Sequence, residues 1–150
     1  MEKILLAVDG SKKAEKAAEK AGELMVALEA EVTILTVVDA DNIQYSAEAA
    51  QSQLLAKLME ERKNEIKKEG EKNLRKAATL LEQAGMKENK INRLLKRGNP
   101  ADYICEEAGK NGYDLIIMSD KGEGRVKRFL LGSTSDRVVR HADTSVLIVK

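Results

Sequence analysis

The sequence predicts an α/β fold, a doubly wound domain with a five-stranded parallel sheet in the order 3-2-1-4-5 and four helices. Three observations carry that prediction. Apolar runs of strand length alternate along the chain with amphipathic stretches of helix length. The runs at Ile4–Val8 and Leu115–Met118 are apolar at consecutive positions and Glu31–Val38 is β-branched and largely apolar, as in strands covered on both faces. Polar or glycine-bearing turns follow them, as at Asp9-Gly10-Ser11, so the strands feed helices through right-handed crossovers. Such sheets take ligands outside the carboxyl ends of the strands, where the strand order reverses. Here that point falls between the first and fourth strands, and Asp9 faces the loop 119–134 across it.

The first strand ends at Asp9, and Ser11 then caps a helix whose apolar positions recur at Ala14, Ala17, Ala18, Ala21, Leu24, Met25 and Leu28. EVTILTVV, residues 31–38, is β-branched and makes the second strand. From about Ala47 to Gly85 the pattern is helical, with Leu55, Met59, Ile66, Leu74, Ala78 and Leu81 near one stripe. Unbroken, it would run about 55 Å against about 20 Å for a strand, so its first half must bend, break or project beyond the sheet. Gly70 is the expected weak point, since glycine costs about 1 kcal/mol inside a helix. The charges from Glu60 to Lys72 alternate in sign and read as a solvated helix face. Ile91–Lys96 is a less apolar third strand, placed toward an edge. Gly98-Asn99-Pro100 supplies the cap and first-turn proline of the third helix. Leu115–Met118, Ser133–His141 and Ser145–Val149 complete the alternation.

At 150 residues the chain reads as one domain, residues 1–150. A net charge of +1 gives no general electrostatic reason to expect nucleic acid. No apolar run has the length of a signal peptide or a membrane span, so the cytoplasm is the expected location. One cysteine and one histidine exclude an internal disulfide and a cysteine- or histidine-based metal site. Cys105 shares a helix face with Ile104 and Ala108 and reads as a small core residue rather than a nucleophile.

The stretch LIIMSDKGEGRVKRFLLGSTS, residues 115–135, carries the most chemistry. Gly122, Gly124 and Gly132 permit tight turns or close approach, and Lys121, Arg125, Lys127 and Arg128 add positive charge. Gly132-Ser133-Thr134 opens a helix, whose unpaired N–H groups and dipole attract anions. Phosphate is the expected guest.

The opening ILLAVDGS, the turn Gly98-Asn99-Pro100, the strand DLIIMS, the stretch LLGSTSDRVV and the closing TSVLIVK stand in the order found in the universal stress proteins, which the chain resembles along nearly its whole length. In the nucleotide-binding branch of that family the loop reads glycine, two residues, glycine, nine residues, glycine, then serine or threonine. Gly122, Gly132 and Ser133 match the later part, and Ser119 stands where the first glycine would be. The resemblance implies a cytoplasmic stress protein that binds ATP as a regulatory module. Ala7, Asp9 and Val38 would line the adenosine end with Met118 beneath it. Ser119, Lys121, Gly122, Arg125, Gly132, Ser133 and Thr134 would follow the ribose and phosphates. Asp120 could help to hold Mg²⁺ beside a triphosphate. Removing the Ser119 side chain would let the ribose settle on backbone. The resemblance also implies a homodimer through the edge strand 145–149, where Val146, Ile148 and the strand backbone need cover. Two alternatives stay open: a nucleotide-free dimeric interaction scaffold, and a slow ATPase. Asp9 and Asp120 are the evident candidates for a general base near the loop, and the Walker-type lysine is missing, so binding ranks above catalysis.

Overall fold

Ile4, Leu5, Leu6, Ile116 and Ile117 have no accessible surface, because the two strands that carry them run side by side at the centre of the sheet. The computed structural model describes residues 2–38, 52–121 and 131–150. In chain order the main elements are β1 (Lys3–Ala7), α1 (Lys12–Ala27), β2 (Glu31–Val38), α2 (Gln53–Gln83), β3 (Ile91–Arg97), α3 (Pro100–Lys110), β4 (Leu115–Ser119), α4 (Ser133–His141) and β5 (Ser145–Val149). All pairings are parallel and the order is β3-β2-β1-β4-β5, as the sequence predicts. The order reverses between β1 and β4, and the carboxyl ends of those strands open there on a crevice.

Two apolar clusters cover the sheet. On one face Ile4, Leu6, Val32 and Ile34 pack with Ala14, Ala18, Ala21 and Met25 of α1 and with Leu74, Ala78 and Leu81 of α2. On the other, Leu5, Ala7, Leu35, Ile116 and Met118 meet Ala101, Ile104 and Ala108 of α3 and Val138 of α4. The caps are those expected: Ser11 Oγ accepts from the Ala14 N–H at 3.1 Å, and Asn99 Oδ1 accepts from the Asp102 N–H at 3.2 Å. Leu24 and Leu28 depart from the predicted stripe of α1. They lie at its margin and are 38% and 39% exposed, because alanines and Gly22 bring α1 close to its neighbours along a narrow line.

The long helix corrects a second expectation. Gly70 does not break α2, which is continuous over 31 residues, or about 46 Å. Gly70 is buried, and a Cβ built on it would lie 2.5 Å from Leu95 Cδ1 and 2.9 Å from Val38 Cγ1. It is therefore the point where α2 touches the sheet most closely. Every buried residue of the helix lies from Gly70 onward, and the half from Gln53 to Glu69 projects past the strands. The expected helix start at Ala47 lies outside the described residues.

At the β5 edge, Val146 and Ile148 pack against the α3–α4 cluster, so the chain itself covers much of what the sequence left bare. Leu147, 37% exposed, and the edge backbone remain uncovered among the described residues.

Candidate functional site

The crevice at the switch point encloses about 280 Å³. Its apolar wall is Ala7 from β1, Leu35 and Val37 from β2, Ile104 from α3 and Met118 from β4. Asp9, Ser119, Gly132, Ser133, Thr134 and Ser135 form the polar side. One end is therefore fit for a flat apolar group and the other for an anion.

The polar side is fixed by hydrogen bonds between chain segments. The Asp120 carbonyl accepts from the Gly132 N–H at 2.8 Å and lies 2.6 Å from Ser135 Oγ, which pins the start of α4 to the end of β4. Gly132 occupies the cap position of α4 without a side chain, so Ser133, Thr134 and Ser135 present the first N–H groups of the helix at the crevice. A Cβ on Gly132 would lie 3.2 Å from Lys121 Cα, so the turn would have to give by a few tenths of an ångström, and in ordinary contact with the Asp120 carbonyl at 3.5 Å. Ser119 Oγ, buried, donates to the Lys121 carbonyl at 2.9 Å and closes the turn that leaves β4. Asp9 Oδ1 accepts from the Ser11 N–H at 3.0 Å, tying that carboxylate to the turn before α1.

Most of the expected residues meet in this one place. Ala7, Asp9, Met118, Ser119, Gly132, Ser133 and Thr134 all line the crevice. Val38 does not: the pleat sends successive side chains to opposite faces, so Val37 enters the crevice while Val38 points toward α2 and touches the Gly70 position. Lys121 is buried beside Gly132 rather than exposed on the loop. Gly122 and Arg125 lie outside the described residues, as do Gly124, Lys127 and Arg128.

The universal stress protein family model matches residues 1–150. The chain belongs to the universal stress protein family. Universal stress protein MJ0531 of Methanocaldococcus jannaschii is 33% identical over 148 residues, covering 99% of this chain and 81% of that one. Among solved structures, hypothetical protein MJ0577 superposes with a TM-score of 0.77 at 28% identity, covering 99% of this chain and 95% of that one. A universal stress protein in complex with cAMP superposes with a TM-score of 0.65 at 25% identity, again covering 99% and 95%.

Within this universal stress protein fold, the side chain suggested for Mg²⁺ is already engaged. The Asp120 carboxylate lies 2.7 Å from Lys13 Nζ, and its side chain is only 14% exposed. A cation there would have to displace the ammonium and take its other ligands from phosphate oxygens and water. Burial and the nearby Asp102 carboxylate push the Cys105 thiol up, consistent with a packing residue. Sequence reasoning missed Val8, Leu35, Val37, Pro100, Ile104 and Ser135 as crevice residues. Pleat alternation counted back from Val38 separates it from Val37 but leaves open which faces the crevice, and no local signal marks Pro100 or Ile104, which α3 brings in by packing.

Proposed function

We propose that this chain is a cytoplasmic stress-response module that binds ATP in the crevice and changes its association with other proteins according to occupancy. The observation that carries the reading is the junction of an apolar wall with a helix start that has no side-chain cap. Adenine would lie along Ala7, Val37 and Met118, and the phosphates would take the free N–H groups at the start of α4. The likeness to a universal stress protein holding cAMP supports an adenine nucleotide. Catalysis ranks below binding because both candidate bases have structural partners: Asp9 accepts from the Ser11 N–H and Asp120 pairs with Lys13. Mass spectrometry of protein purified without added nucleotide, followed by calorimetry with ATP, tests the reading. A co-purified adenine nucleotide or a saturable heat is the expected result. With neither, even at millimolar ATP, the reading fails and a nucleotide-free scaffold replaces it.

The uncovered β5 edge supports a second part of the reading, a homodimer formed through that strand.

A further inference from the structure

A second cavity, of about 310 Å³, lies on the α2 side of the sheet. It exists because α2 meets the sheet at Gly70 and then runs on past it, leaving a slot between the projecting half of the helix and the ends of β2 and β3. Val38, Met59, Ile66 and Leu95 supply its apolar lining. Among the described residues the charged side chains that line it are all cationic, with no aspartate or glutamate. Arg62 is 3.2 Å from Glu65 and Lys67 is 4.0 Å from Glu71, so these two are compensated. Lys63, Lys96 and Arg97 have no ion-pair partner among the described residues. Arg97 is the register partner of Val38, so both side chains leave the sheet on the α2 side.

We propose that this groove binds an amphipathic anion, a carboxylate on an unbranched apolar chain such as a medium-chain fatty acid. The apolar lining would take the chain, and Lys63 and Arg97, two of the uncompensated cations, would take the head, Arg97 in the forked geometry that suits a carboxylate. Val38, Met59, Ile66 and Leu95 stand among the cations, a mixed lining that suits a head with an apolar chain better than a strongly hydrated polyanion. An extended polyanion would also meet Glu65 and Glu71 beside the rim.

The test uses the full chain with octanoate and decanoate below their micelle concentrations, and with decyltrimethylammonium as the charge-reversed probe. Saturable binding of one decanoate per chain is expected, with affinity about fourfold higher for each added methylene. Methyl NMR shifts should centre on Val38, Ile66 and Leu95. Lys63→Glu combined with Arg97→Glu should weaken binding at least about tenfold. Both side chains are exposed, so circular dichroism should be unchanged. Ile66→Trp, which fills the slot without changing its charge, should weaken binding as well. The proposal is overturned if decanoate does not saturate, if the cationic probe binds as well, or if the shifts centre on Met118 in the crevice. Sedimentation with phosphatidylglycerol vesicles in the absence of decanoate binding would also overturn it, in favour of a membrane surface.

Discussion

The Lys13 ammonium lies 2.7 Å from the Asp120 carboxylate, joining the first turn of α1 to the end of β4 across 107 positions of sequence. The pair neutralises a carboxylate beside the proposed phosphate site and occupies a cation that phosphate would otherwise attract. Asp120→Asn should free Lys13 and remove a like charge, tightening ATP by about 1 kcal/mol, close to fivefold. Because Lys13 already holds the Asp120 carboxylate, calorimetry should give the same gain with and without Mg²⁺. A loss of affinity confined to Mg²⁺-containing buffer would restore the carboxylate as a metal ligand.

Ser119 is more than a bulkier stand-in for glycine. Its hydroxyl satisfies the buried Lys121 carbonyl, so Ser119→Ala should cost about 1 kcal/mol of stability. Ser119→Gly loses the same bond and adds backbone freedom, which offsets the room it opens for a ribose. Urea midpoints and ATP titrations on both variants check this. A tighter, fully stable Ser119→Gly protein would show that the side chain only obstructs.

Gly132→Val should abolish ATP binding. The added carbons would press on Lys121 Cα and the Asp120 carbonyl, shifting the start of α4 away from the anion. Each N–H lost from a charged acceptor is worth about 1.5–3 kcal/mol. Gly132→Ala, with a single carbon to accommodate, should retain measurable binding. Equal affinity of Gly132→Val and wild type in calorimetry would remove α4 from the site.

For the dimer, Leu147 is the residue to change. Ile148→Lys would strike the α3–α4 cluster and could unfold the edge, whereas Leu147 is exposed. Leu147→Lys should give monomers in light scattering at micromolar concentration with an unchanged denaturation midpoint. A wild type that is already monomeric under those conditions refutes the interface.

Gly70→Ala separates propensity from packing. Helix propensity alone favours alanine by about 1 kcal/mol, while overpacking costs about 1–3 kcal/mol. Leu95 can yield by rotating, but β-branched Val38, 2.9 Å from the new Cβ, cannot do so readily. Net destabilisation is therefore expected in urea titration, and Val38→Ala should reduce the penalty in the double variant. A stabilised Gly70→Ala protein would mean that the contact is soft.

The sequence by itself determined the alternation of strands and helices, because strand and helix periodicities and the caps at Ser11 and Asn99 act within a few residues of where they are read. Ser133–His141 and Ser145–Val149 are the bounds of α4 and β5 in the structure as well. With the order 3-2-1-4-5, one of the orders open to a doubly wound sheet, it also brought Asp9, Met118, Ser119 and Gly132 to one crevice, because that order puts the ends of β1 and β4 together. Tertiary structure alone decided the rest. Whether Val37 or Val38 faces the crevice depends on which side of the pleat α2 covers, and both are equally apolar in sequence. Gly70 reads locally as a weak helix position, yet it is a contact, because its cost depends on Leu95 and Val38 from separate strands. Asp120 reads as a ligand until Lys13 arrives from α1. Periodicity reports which face of an element is apolar, but the partner that meets that face, or that neutralises a charge, is set by long-range packing.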